Sequence, residues 1–126
     1  MEKKAVHTSD APEAIGPYSQ AVVSDGYVFC SGQVPLDPST GELIEGSMAD
    51  QTRRCMMSLK AVLSAAGSDV ERIVKTTIYL MDMDDFVEVN EAYGGFFSNE
   101  PPARATVQVA GLPKGARVEI ECVARV

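Results

Sequence analysis

The stretch Arg117–Val126, RVEIECVARV, decides the fold. Arg117, Glu119, Glu121 and Arg125 alternate with Val118, Ile120, Cys122, Ala124 and Val126. A period of two puts the charges on one side of a β-strand and the apolar side chains on the other. The preceding stretch 103–109, ARATVQV, repeats the pattern, with Arg104, Thr106 and Gln108 against Ala105, Val107 and Val109. Strands that are apolar on one face need a cover for that face, and the polar faces must meet solvent, a cleft or another subunit. Two helices elsewhere in the chain are available as the cover. The expected architecture is α+β, a mixed or largely antiparallel sheet with two helices on one face.

The helices are marked by their punctuation. Ser47 followed by Asp50 resembles a capping box, and Gly67 is a natural stop. Between them Thr52, Cys55, Met56, Leu59, Val62, Leu63 and Ala66 recur at helical spacing and form one buried stripe. A second helix is expected from about Asp82, with Phe86, Val89, Tyr93, Phe96 and Phe97 on one face and Pro101-Pro102 as its end. Gly94 and Gly95 cost about 1 kcal/mol each relative to alanine, so its last turn should be irregular. Ile73–Met81, IVKTTIYLM, is β-branched and reads as an inner strand.

Toward the N-terminus, Tyr18–Val23 and Tyr27–Ser31 flank Ser24-Asp25-Gly26, and Asp-Gly favours a two-residue type I′ hairpin turn. With Ser24 opposite Tyr27, the register sets Gln20 against Ser31 and Tyr18 against Gln33, all four on one face. Pro35–Gly46 reads as a loop. With no repeat or linker, residues 1–126 are expected to form a single domain.

Composition narrows the function. Eleven Lys and Arg against 18 Asp and Glu give a net charge of −7, which disfavours nucleic acid as a partner. Cys30, Cys55 and Cys122 form no C-x-x-C pair and sit in apolar stretches, as buried free thiols in a reducing compartment do. No signal-peptide pattern or membrane-length apolar run is present, so a cytoplasmic, non-membrane protein is expected. The one histidine, His7, has no companions at ligand spacing, and no metal is expected. No nucleophile elbow or phosphate loop occurs. What remains is Arg104, whose planar fork suits a small carboxylate, and Glu119, which could orient or deprotonate a water. By their chemistry alone, two opposite charges on one polar sheet face are more readily a structural ion pair.

Four blocks carry a resemblance over essentially the whole chain. They are Ile15-Gly16-Pro17-Tyr18-Ser19-Gln20-Ala21, then Ser31-Gly32-Gln33-Val34-Pro35, then the helix with Asp85-Phe86, Val89-Asn90, Tyr93 and Phe96-Phe97. The fourth runs Pro102–Val107, Ala110 through Leu112-Pro113-Lys114-Gly115, and Val118-Glu119-Ile120. Together, in order and at compatible spacing, they resemble the RidA (YjgF) family.

The resemblance implies a Bacillus chorismate mutase-like fold, assembled as a homotrimer with sites between subunits. It also implies a deaminase without cofactor or metal. Such an enzyme hydrolyses reactive 2-imino and enamine acids, derived from 2-aminoacrylate and 2-aminocrotonate, to 2-ketoacids and ammonia, a detoxification of reactive metabolites. Carried over residue by residue, Arg104 clamps the substrate carboxylate and Glu119 polarises the attacking water. Tyr18, Ser31 and Gly32 line the pocket, Asn90 supports it, and Thr106 stands where many members have cysteine. Pro101 replaces an aromatic residue, and the 98–101 loop is short, which bears on substrate preference. The alternatives are a non-catalytic trimer that binds a small metabolite, a ribonuclease or translation inhibitor, which the net charge disfavours, and a chaperone-like role.

Overall fold

The computed structural model describes residues 2–126. Eight main elements follow in chain order: β1 (Lys4–Val6), β2 (Ala21–Ser24), β3 (Tyr27–Gln33), α1 (Met48–Ala65), β4 (Ile73–Leu80), α2 (Phe86–Gly94), β5 (Ala103–Gln108) and β6 (Val118–Arg125). The strands form one six-stranded sheet in the order β1-β2-β3-β6-β4-β5. All neighbours are antiparallel except β4 and β5, which run parallel. A parallel pair needs a crossover connection, and α2 supplies it.

The apolar face of β6 lies where its period places it. Val118, Ile120, Cys122 and Ala124 are buried in one core with Ile78 and Leu80 of β4 and the α1 stripe of Cys55, Met56, Leu59, Val62 and Leu63. Helix α1 begins as expected. The Ser47 side chain accepts from the Asp50 amide, and the Asp50 carboxylate accepts from the Ser47 amide. It stops where Gly67 turns to φ 83°, and the Ser68 amide donates back to the Leu63 carbonyl at 2.9 Å. Ile73–Leu80 is an inner strand with partners on both sides.

Three expectations are corrected. The hairpin turn forms as read, with φ 56° at Asp25, φ 82° at Gly26 and Ser24 paired with Tyr27. Its first strand, however, begins at Ala21, and the four polar residues do not share a face. Tyr18 is exposed, whereas Gln20 and Gln33 are buried. Gln20 stands opposite Ser31 as expected, the Ser31 amide donating to its main-chain carbonyl at 2.9 Å, and is buried because the 8–12 segment covers it and offers a full set of partners. Its Oε1 accepts from the Thr8 amide at 2.7 Å, and its Nε2 donates to the carbonyls of Thr8 and Pro12. A bulge between Cys30 and Gln33 breaks the two-residue alternation and turns Gln33 inward.

Second, α2 ends at Gly94, seven residues before Pro101, because the adjacent Gly94 and Gly95 weaken the helix before the prolines act. Phe96 and Phe97 still pack against the core from the following turn.

Third, the face assignment of β5 is reversed. Arg104, Thr106 and Gln108 pair in register with Thr76, Ile78 and Leu80, whose side chains lie under the helices, so the polar side of β5 faces α2. Ala105 and Val107 point to the open side. Helix α2 accepts the polar face because it offers aromatic rings and an amide in place of aliphatic packing.

Candidate active site

The sheet register separates the two charged residues singled out by the sequence. Glu119 pairs with Tyr79, and Tyr79 pairs with Val107, so these three side chains share the open face. Arg104 pairs with Thr76, and Thr76 with Cys122, on the helix-covered face. Arg104 and Glu119 therefore project from opposite faces of one sheet. The structural ion pair between them does not form; the ion pairs among the described residues are His7–Glu13, Arg53–Asp50 and Arg117–Asp85.

On the helix side, Arg104 is held by three residues of α2. Its guanidinium carbon lies 5.6 Å from the Phe86 ring centroid and 5.3 Å from that of Tyr93, and its Nη1 donates to Asn90 Oδ1 at 2.6 Å. Phe86, Asn90 and Tyr93 are spaced four and three apart, so one helix face presents all of them. Tyr93 is itself fixed by a 2.7 Å hydrogen bond with Thr76 Oγ1, and burial pushes its phenol pKa up. The guanidinium plane is thus set in advance, with further N–H groups left for a ligand.

Arg104 forms one wall of a cavity of about 450 Å³, shared with Asn90, Tyr93, Phe97, Asn99 and Pro102. Thr106, two residues along the same face, has a buried hydroxyl with no protein partner among the described residues.

On the open side, the bulge sets Ser31 and Gly32 against the single residue Glu121. Ser31 Oγ donates to the Ser19 carbonyl at 2.6 Å, tying β3 to the segment that carries Tyr18. The Glu119 carboxylate folds over Gly32, and a methyl group there would come within 2.8 Å of its Cδ. With any larger residue at that point the carboxylate would have to swing away. Burial raises the Glu119 pKa above the ordinary carboxylate value, and the charge of Glu121 adds to the rise. Tyr18 is half exposed, with its hydroxyl 3.4 Å from the Ile15 amide.

The predicted site residues thus form two half-sites. Arg104, Asn90 and Thr106 lie together beside a guanidinium, and Glu119, Gly32 and Ser31 lie about a partly desolvated carboxylate, with Tyr18 one residue from the Ser19 carbonyl that Ser31 binds. Phe86 and Tyr93 were read only as core, yet they are part of the arginine clamp. Their spacing around Asn90 carries that signal once Arg104 is known to lie beneath the helix.

This fold is shared with known proteins. The family model described as Endoribonuclease L-PSP matches residues 8–126, and the chain belongs to that family, also called the YjgF/RidA family. Protein DfrA of Myxococcus xanthus is 53% identical over 126 residues, covering 98% of this chain and 96% of the relative. The mouse 2-iminobutanoate/2-iminopropanoate deaminase is 50% identical over 122 residues, covering 97% and 90%. The crystal structure of YyfA from Yersinia pestis, described as a Rid-family protein of unknown function, superposes with a TM-score of 0.96 at 45% identity, covering 99% of this chain and 100% of that one.

No helix among the described residues is long and apolar enough to cross a membrane.

Proposed function

We propose that this chain is a 2-imino acid deaminase that works as a homotrimer, with Arg104 of one copy and Glu119 of another closing on the same substrate. The observation that carries the reading is the placement of the two residues on opposite faces of the sheet. Layers packed on a sheet are separated by about 10 Å, too far for one small imino acid to touch both groups of the same protomer. A second copy laid against the first removes the difficulty. The open face suits such a neighbour, because Tyr27, Phe29 and Val107 expose apolar surface on it.

The chemistry follows from the groups. The substrate carboxylate takes the free N–H groups of Arg104, whose plane is fixed by Phe86, Asn90 and Tyr93. The Thr106 hydroxyl is a further donor beside it. A protonated imine is already a strong electrophile, so the remaining task is to deliver an oriented water. Glu119 holds that water and takes its proton as oxygen bonds to the imine carbon. The proton passes to the amino nitrogen of the resulting carbinolamine. The C–N bond then breaks, leaving a 2-ketoacid and ammonium, with no redox step. Tyr18 and Ser31 line the Glu119 half, and Gly32 lets the carboxylate lie against the strand.

Relatives named as deaminases support this reading. The net charge of −7, together with two glutamates on the open face, speaks against a polyanionic RNA substrate.

The test couples a serine dehydratase, as a source of 2-aminoacrylate, to pyruvate release. Catalytic amounts of the protein should accelerate release. Arg104→Lys keeps the charge but loses the planar fork, so kcat/KM should fall by more than about 100-fold, or roughly 2.7 kcal/mol of transition-state stabilisation. Normal rates in a folded Arg104→Lys protein would refute the clamp, and no acceleration by the wild type would refute the reaction.

A further inference from the structure

Glu119 does not stand alone on the open face. Glu121 lies two residues along the same strand and so on the same side, with the two α-carbons about 6.5–7 Å apart. Tyr79 of β4 sits directly opposite Glu119 in the register, yet its hydroxyl reaches diagonally past that residue and donates to Glu121 Oε1 at 2.9 Å. The phenol is held in its protonated, donating form, chiefly by this hydrogen bond to Glu121. One carboxylate of the pair thus receives a donor, and the other receives none from the described residues.

We propose that Tyr79 and Glu121 are positioning residues for Glu119: Tyr79 fixes the Glu121 carboxylate beside it, and that neighbour leaves Glu119 as the proton-accepting and proton-returning group. Two carboxylates this close do not ionise independently; the first charge opposes the second. The Glu121 charge opposes ionisation of Glu119, and Tyr79 holds that neighbouring carboxylate in place. Desolvation of Glu119 over Gly32 acts in the same direction. A general base whose midpoint is lifted toward the working pH is better able to return its proton to the departing nitrogen.

The other groups facing this pair do not cancel the effect. From β4, Lys75 shares the face but pairs in register with Val123, beyond Glu121. From β6, Arg125 stacks on Tyr27 at 5.7 Å, and Arg117 is bound to Asp85 at 2.6 Å. β5 contributes only Ala103, Ala105 and Val107 to this face, and β3 contributes Ser31 and Gly32 beside the pair. Tyr27, under Arg125, and Tyr18 are the other phenols on that side.

The inference deepens the deaminase reading and rests on it for the reaction served, but its test separates the two. In the assembled protein with ¹³C-labelled glutamate side chains, carboxyl NMR titration reads the Glu119 midpoint without any substrate. Removing the neighbouring charge with Glu121→Gln should lower that midpoint by at least about half a pH unit. Tyr79→Phe, which removes only the hydroxyl that holds Glu121, should lower the Glu119 midpoint by less. The acid limb of kcat/KM for imine hydrolysis should move to lower pH in both variants, in step with the Glu119 midpoint. A Glu119 midpoint unmoved in either folded variant overturns the proposal. Midpoints that move as expected in a protein that hydrolyses no imine support the pairing and overturn the deaminase reading instead.

Discussion

The placement of Arg104 and Glu119 on opposite faces makes a demanding prediction about mixed assemblies. Arg104→Lys and Glu119→Gln each damage every site of a trimer made from that variant alone, lowering activity about 100-fold or more. If each site takes Arg104 from one copy and Glu119 from another, a mixed trimer can join the intact arginine of the Glu119→Gln chain to the intact glutamate of the Arg104→Lys chain. Random assembly from equal amounts gives both intact groups in about one quarter of sites. The mixture should then recover about a quarter of wild-type activity, on the order of 25-fold above either variant alone. Co-refolding the two variants, confirming mixed trimers by native mass spectrometry and following pyruvate release is the measurement. If both groups served from the same copy, every site in the mixture would carry one lesion. Mixed trimers with activity no higher than the mean of the two variants would therefore sink the inter-subunit site, whatever each single variant does.

Two further predictions follow from close packing. Gly32→Ala drives a methyl group into the Glu119 carboxylate, the flexible end of its side chain, so kcat/KM should fall by about 10- to 100-fold through misplacement of the base while thermal melts change little. Wild-type rates in that variant would show that Glu119 does not work from its position over Gly32. Cys30, Cys55 and Cys122 are all buried. Burial pushes the Cys55 thiol up, and the hydrogen bond with Cys30 followed by burial does the same to Cys122. A thiol-reactive dye should label none of them in the native protein and all of them after denaturation; native labelling that abolishes activity without unfolding would give a cysteine a catalytic role.

The sequence by itself determined what depends on neighbours a few residues away. Ser47, Asp50 and Gly67 bound α1, and the stripe from Thr52 to Leu63 names its buried face, because caps and helical spacing are local. The Asp25-Gly26 turn sets the Ser24–Tyr27 register for the same reason. The alternation in 117–126 was also correct, since Val118, Ile120, Cys122 and Ala124 could be buried only together. The motifs around Arg104 and Glu119 were enough to mark both as candidate site residues.

Tertiary structure decided which face each strand turns to which neighbour. A period of two says that Arg104 and Ala105 point in opposite directions, but not which one lies beneath a helix. That choice depended on β5 joining β4 in parallel at the sheet edge and on Phe86, Asn90 and Tyr93 arriving above it from a separate element. The burial of Gln20 has a similar cause, since its partners lie eight and twelve residues earlier in a segment without regular structure. The bulge at Ser31-Gly32 exists only against β6, and it is what lets Glu119 settle on a glycine. Arg104 and Glu119 thus look like neighbours on two polar strand faces, yet strand pairing sets them back to back, because pairing is governed by contacts between distant parts of the chain and alternation by adjacent residues alone.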